Sequence, residues 1–194
     1  QLGKSAWVLE NEEITDRFAF LLEGLTKEAA EETDTIVSVD VASPGMLPKC
    51  FEQYVGRCAL RIDHHGSATS FTPEELVDPD SASCAELVCD MITLLGIQLD
   101  KDIATAVYVG ASTDTGCFRF ANTTAHTFMI AAICAQAGAP VYKLNQDLFE
   151  TNTLSKLRMQ AWIIENMKLF DDGKLAIVAI PRAVEDLIGV TDDD

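Results

Sequence analysis

The sequence predicts an α/β protein: a doubly wound, mainly parallel sheet, then a linker helix and the opening of a second unit. Three observations carry that prediction. Short β-branched runs alternate with stretches of helical periodicity, the pattern of parallel strands joined by helices. Hydrophobic residues make up 48% of the 194 and charged residues 23%, a composition that folds and buries a core. Acid and imidazole side chains gather just past the expected strand ends, where an open parallel sheet collects its functional groups.

In chain order, Ser5 to Leu9 reads as a first strand. Asp16 stands as an N-cap ahead of Phe18, Leu21, Leu22 and Leu25 at helical spacing and predicts a helix. The charged stretch from Lys27 to Asp34 returns the chain to a buried strand at Thr35–Val41. Ala42-Ser43-Pro44-Gly45 is turn-forming by composition. Arg57 to Ile62 reads as the next strand and runs directly into Asp63-His64-His65-Gly66.

Ser83-x-x-Glu86 is a capping-box pattern ahead of Leu87, Val88, Met91, Ile92, Leu94 and Leu95, with Gly96 placed to end that helix. Asp102 to Ala111 reads as a second helix or as a helix running into a strand, and Ser112-Thr113-Asp114-Thr115-Gly116 breaks the pattern. Thr124 to Ala137 is a third helix, stopped by Gly138 and Pro140. Ser155 to Met167 is amphipathic, and Asp171-Asp172-Gly173 turns the chain into a strand from Lys174 to Ile180 and a short helix near Ala183 to Ile188. The expected organisation is a first domain at 1–143, linker helices at 144–170 and the beginning of another domain at 171–194. That last piece is too short to close a core of its own, so apolar surface from Leu175 to Ile180 is expected to promote association as a homodimer.

Charge narrows the function classes. Lys and Arg number 14 against 31 Asp and Glu, a formal net charge of −17, so the chain lacks the basic footprint of a general duplex binder. A phosphate ligand must be met locally, by metal ions or a few placed arginines. The six cysteines contain no C-x-x-C pair, which argues against zinc ribbons and thioredoxin-type chemistry. Most sit among apolar neighbours, as Cys84 and Cys134 do, and suit small buried side chains in a reducing compartment. No run approaches 18 apolar residues and the first residues have no signal-peptide character, so the expectation is a cytoplasmic protein with no membrane partner.

Asp40, Asp63-His64-His65 and Asp114 are the candidate chemistry. Adjacent side chains at a strand end point to different sides, so one imidazole can bind a metal while the other faces substrate. Oxygen and imidazole donors without thiolates favour manganese, magnesium, iron or cobalt over a structural zinc site. Each residue also has a plainer reading. Asp40 alone is a turn residue or cap, the Asp-His-His run a solvated loop, Asp114 an Asx turn and His126 a surface or cap residue. Arg119, between Phe118 and Phe120, meets a phosphate or stacks on a base, or else forms an inter-element salt bridge.

Asp63-His64-His65, together with the run TDTGCFRFANTT from Thr113 to Thr124, resembles the DHH phosphoesterase family. The second motif is the more specific and resembles the branch of nano-RNases and 3′-phosphoadenosine 5′-phosphate phosphatases, rather than the RecJ exonucleases or family II pyrophosphatases. Val39-Asp40, Val77-Asp78-Pro79 leading into Ser83-Cys84-Ala85-Glu86-Leu87, and the DDGKLAIVAI segment agree with it, so the resemblance covers nearly the whole chain.

The resemblance implies a manganese-dependent hydrolase, with magnesium or cobalt as alternatives, acting on short oligoribonucleotides or small adenine nucleotides by in-line attack of hydroxide on phosphorus. It implies two metal ions per intact site, bridged by Asp40, with His64 and Asp114 completing the second ion's protein ligands. Asp63 would stand behind the ligands, His65 would contact the scissile phosphate, and Arg119 and Ser67 would help hold the nucleotide. The family's first motif, a His and two Asp, is expected upstream of Leu2-Gly3-Lys4, and the glycine-rich motif of its DHHA1 domain is expected after Asp194. By this reading the chain is truncated at both ends and the fragment is expected to be inactive. Ala68 stands where relatives often carry Asn. The alternatives are a hydrolase of another small phosphate (a linear or cyclic dinucleotide, or pyrophosphate), a non-catalytic nucleotide- or metal-binding module, and a structural domain with an incidental Asp-His-His loop.

Overall fold

The structure, a computed structural model, describes residues 3–11, 14–67 and 69–191. Ala68 lies outside the described residues. The chain divides into two compact units, residues 1–145 and 146–194.

In the first unit, β1 (Val8–Leu9) pairs in parallel with β2 (Thr26–Lys27). The strand is shorter than Ser5–Leu9, and the helix expected from Asp16 does not form. Only a 3-10 turn at Ala19–Leu21 is present, begun at Phe18 without a side-chain cap. The physical reason is burial: Phe20 and Leu25 stay half exposed, and a short helix without a packed apolar face is marginal.

The sheet that positions the site is parallel, in the order β3 (Ile36–Val39), β4 (Cys58–Asp63), β5 (Glu74–Val77). The segment between β3 and β4 holds 3-10 turns at Pro44–Met46 and Lys49–Arg57. Register places Leu60 opposite Val37 and Ile62 opposite Val39 and Leu76. Leu60 and Ile62 pack with Cys84, Leu87, Val88 and Met91 of α1 (Cys84–Leu94), which makes the core. The alternate residues put Ser38, Arg61 and Asp63 on the other face, all buried. Arg61 ties that face together: Nη1 donates to the carbonyls of Ala42 (3.2 Å) and Thr69 (2.9 Å), and Nη2 pairs with Glu75 Oε2 at 3.1 Å.

Helix starts follow local chemistry. Ser83 Oγ accepts from Glu86 N, but the Glu86 carboxylate takes the N–H of Ala82 rather than that of Ser83, so the expected box is offset by one residue. Asp100 caps α2 (Lys101–Asp114) by accepting from Asp102 N and Ile103 N. This element is helical throughout and continues past the expected break to Asp114, with the hydroxyls of Ser112, Thr113 and Thr115 turned back onto carbonyls of Val109 and Ala111 rather than competing for a turn. Gly110 lets α1 approach α2, since a Cβ there would stand 2.7 Å from Ala85 Cβ. Thr124 and Thr127 form a reciprocal capping box for α3 (Ala125–Gln136), and α4 (Val141–Asn145) closes the unit.

The second unit holds a π-helical turn at Gln146–Glu150, α5 (Leu154–Asn166) capped by Thr153, and an antiparallel hairpin of β6 (Lys168–Phe170) and β7 (Leu175–Ile177). Asp171, Asp172 and Gly173, all at positive φ, make its turn. β7 is three residues rather than the expected Lys174–Ile180 run, and α6 (Arg182–Ile188) follows. Every residue of the hairpin strands is exposed, including Leu169, Phe170, Leu175 and Ile177.

Candidate active site

Asp40 follows β3, Asp63 ends β4 with His64 and His65 immediately after it, and Asp114 is the last residue of α2. Asp40 occupies the left-handed region at φ 62°, a strained conformation for a side-chain-bearing residue, and its N–H donates to Ile62 O at 2.9 Å. That turn brings its carboxylate back over the end of β4. His64 Nε2 lies 3.4 Å from Asp40 Oδ1 and 3.5 Å from Asp114 Oδ2. His64 Nδ1 is 3.2 Å from the Ser81 carbonyl and donates to it, which leaves Nε2 facing the two carboxylates.

His65 is held differently. Its Nδ1 lies 2.7 Å from Asp63 Oδ1 and 3.9 Å from Asp40 Oδ1. Asp63 is fully buried, and the same Oδ1 accepts the N–H groups of His64 and His65. The Asp63 bond raises the His65 pKa above its ordinary value, against the opposing effect of burial. Burial works to raise the Asp63 carboxyl, but the hydrogen bonds from the His65 ring and from the His65 and His64 backbone outweigh it and leave it lowered. Asp114 shifts the other way: burial raises its pKa and the Asp40 charge adds to the rise, with His64 and His65 opposing.

The carboxyl of Asp114, which resists ionising in the empty site, the carboxylate of Asp40 beside it and the His64 imidazole form a donor set that fits a divalent cation. Asp40, His64 and His65 each offer a ligand atom within 4.8 Å of the others, and Asp114 joins through His64. Arg119 and Ser67 are both exposed. Arg119 Nε donates to Gly116 O at 2.6 Å, within its own turn. His126 stands apart from this cluster, with Nε2 3.1 Å from Asp90 Oδ2.

Three contributors escaped the sequence reading. Asn122 Nδ2 donates to both Ala82 O (3.0 Å) and Asp114 O (3.1 Å), joining the approach to α1 to the end of α2. It lies inside the quoted TDTGCFRFANTT run, which is the signal that could have found it. The Ser81 carbonyl has no side-chain signature. Cys84 Sγ donates to Ile62 O, the carbonyl that also receives Asp40 N, and burial followed by the Asp40 charge pushes its thiol up to about 12. Cys84 is therefore a protonated prop beneath the site.

A parallel sheet with Asp40 at one strand end and Asp-His-His at the next, met by an Asp from a helix end, has the architecture of the DHH phosphoesterases. The comparisons agree. The chain is 34% identical over 149 residues to the bifunctional oligoribonuclease and PAP phosphatase NrnA of Thermus thermophilus, which covers 76% of this chain and 44% of that protein. It is 27% identical over 125 residues to the protein of the same name from Bacillus subtilis, covering 63% and 40%. Among solved structures, an exopolyphosphatase-related protein from Bacteroides fragilis shares the fold with a TM-score of 0.76 at 22% identity, over 84% of this chain and 49% of that one. A putative family II inorganic pyrophosphatase from Methanococcus jannaschii does so at 0.56, also at 22% identity, over 81% and 57%. No family model matches. The resemblance to the DHH family, on its oligoribonuclease and PAP phosphatase side, is thus borne out in sequence and in fold. The chain spans less than half the length of these two NrnA relatives.

Proposed function

We propose that the protein is a divalent-metal-dependent phosphoesterase that hydrolyses short oligoribonucleotides, removes the 3′-phosphate of 3′-phosphoadenosine 5′-phosphate, or does both. The observation that supports this most is the convergence of His64 Nε2 on Asp40 and Asp114, with His65 held beside them by Asp63. In this reading Asp40, His64 and Asp114 hold manganese, or magnesium or cobalt in its place. When bound, such ions supply positive charge to phosphoryl oxygens and acidify water. Asp63 keeps His65 protonated at Nδ1 and oriented, and the imidazolium meets charge developing on the scissile phosphate. Arg119 and Ser67, exposed on the turns that follow Asp114 and His65, contact the nucleotide.

Small anionic substrates met by metals suit a chain of net charge −17 better than long polymers tracked along a basic groove. A reducing cytoplasmic setting suits its six free cysteines. Among the described residues no helix is long and apolar enough to cross a membrane. The deciding experiment measures manganese-dependent release of AMP from 5′-phosphorylated diadenylate and of phosphate from 3′-phosphoadenosine 5′-phosphate. It is run on this chain and on a form extended to the length of the relatives. Turnover of either compound by either form supports the proposal, and turnover of neither overturns it.

A further inference from the structure

We infer that Glu86 is a positioning residue for His64, acting through the single peptide group between Ser81 and Ala82. The carbonyl of that group, Ser81 O, lies 3.2 Å from His64 Nδ1, and its N–H, on Ala82, donates to Glu86 Oε2 at 3.2 Å. A planar trans peptide points its C=O and N–H to opposite sides, so the group stands between carboxylate and imidazole and links them. Hydrogen bonds in such a chain polarise one another: a carboxylate on the N–H makes the carbonyl a better acceptor for the ring proton. That His64 turns its other nitrogen to a metal rests on the function proposed above.

Glu86 is 1% exposed and its Oε1 has no hydrogen-bond partner, a costly state for a carboxyl group. Starting α1 does not require it. A capping box bonds the N–H of the cap residue itself, and Thr124 and Thr127 close one at α3 with hydroxyls alone, whereas Glu86 passes over Ser83 N–H for Ala82 N–H. The other side of Ala82 is tied as well, its carbonyl accepting from Asn122 Nδ2 at 3.0 Å. His64 needs this support. Asp40 Oδ1 and Asp114 Oδ2 stand 3.4 and 3.5 Å from Nε2 and draw the ring proton toward that nitrogen, where it would leave no lone pair for a cation. The Ser81 carbonyl draws it to Nδ1 instead, and Glu86 strengthens that side of the competition.

The test is proton–nitrogen correlation spectroscopy of the His64 ring in the metal-free full chain at mildly alkaline pH, with Mn2+ titration calorimetry beside it. The wild-type ring is expected to carry its proton at Nδ1. Glu86→Met, close in size but without an acceptor, is expected to move the proton toward Nε2 and to weaken Mn2+ binding roughly 10–100-fold. Glu86→Gln, whose amide oxygen still accepts from Ala82 N–H, is expected to keep the wild-type tautomer. Ser83→Ala loosens the start of α1 without touching the peptide, so it should melt earlier yet keep the tautomer and Mn2+ affinity of the wild type. A wild-type ring protonated at Nε2, fast hydrogen exchange at the wild-type Ala82 N–H, a Glu86→Met ring with the wild-type tautomer, or a Ser83→Ala ring shifted as far as that of Glu86→Met overturns the inference. If the wild type binds no Mn2+, the ring spectra still decide the role of Glu86, and it is the metal reading of His64 that falls.

Discussion

Asp63 Oδ1 lies 2.7 Å from His65 Nδ1 and accepts the N–H groups of His64 and His65 as well, so one buried carboxylate oxygen fixes both the ring and the backbone of His65. Asp63→Asn keeps an acceptor at that place but removes the charge. In the form of the protein that turns substrate over, kcat is expected to fall roughly 10–100-fold. Mn2+ affinity, which the proposed function assigns to Asp40, His64 and Asp114, is expected to change little. Titration calorimetry with Mn2+ separates the two effects: binding abolished as fully as by His64→Ala would make Asp63 a direct ligand instead.

The same pair sets a pH dependence for the metal-free protein. Asp63 has a folded pKa below its ordinary 3.8, so its contribution is present above that value and is lost as pH falls through the lowered one. His65 has a folded pKa above its ordinary 6.5, so its contribution is fully present below 6.5 and is lost as pH rises through the raised value. Both act together between about 4 and 6.5, where thermal stability in a chelator should exceed that at pH 8. His65→Gln should flatten the alkaline limb of that profile. A wild-type profile that is flat from pH 5 to 8 would contradict the pairing.

Asp114 offers a trade between stability and binding. Burial and the Asp40 charge both oppose its ionisation, so at neutral pH the empty site carries an electrostatic penalty. Asp114→Asn removes that penalty and one carboxylate together. Without metal the variant should melt at a higher temperature than the wild type. With Mn2+ at 100 times the wild-type dissociation constant, the wild type gains about 2.7 kcal/mol and the variant far less. A differential scan with and without Mn2+ reads both signs in one experiment.

Much of this site was legible because its signals are local. Asp63-His64-His65 are adjacent at the end of a short strand, and Ser83 and Thr124 cap helices within three residues of themselves. The helix expected from Asp16 failed because periodicity records an apolar face but not whether anything covers it; Phe20 and Leu25 remain half exposed. Asn122 stood in the quoted motif, yet its job depends on a carbonyl 40 residues away, which no local pattern encodes. Cys84 was readable as a small buried side chain, whereas its place under Asp40 is a product of the β4–α1 packing.

Arg61 shows how far the site depends on a residue outside it. Its guanidinium joins Ala42, just past Asp40, to Thr69, just past the histidine loop, and pairs with Glu75 while 2% exposed. Arg61→Met leaves both carbonyls and Glu75 without that donor. Unfolding free energy in urea should drop by about 1–3 kcal/mol, the cost of leaving the carbonyl of the buried Ala42 without its donor. Glu75→Gln, which keeps an acceptor at the more exposed end, should lose much less. Equal losses would mean that the ion pair, rather than the two carbonyl bonds, holds the loops.

The turn after Asp114 can be tested through one glycine. Gly116, Cys117 and Phe118 all have positive φ, at 55°, 58° and 62°, and a Cβ on Gly116 would stand 2.4 Å from the Phe120 ring. Gly116→Ala therefore meets two separable penalties. The left-handed backbone costs about 1–2 kcal/mol for any L side chain. The clash is with the ring of an exposed side chain, 57% accessible, that can be removed without emptying the core. Adding Phe120→Ala to Gly116→Ala should restore the steric part and leave the backbone part, so the double variant should be more stable than Gly116→Ala and less stable than Phe120→Ala. A double-mutant cycle by thermal melting measures that coupling, and strict additivity would show that Phe120 swings clear on its own.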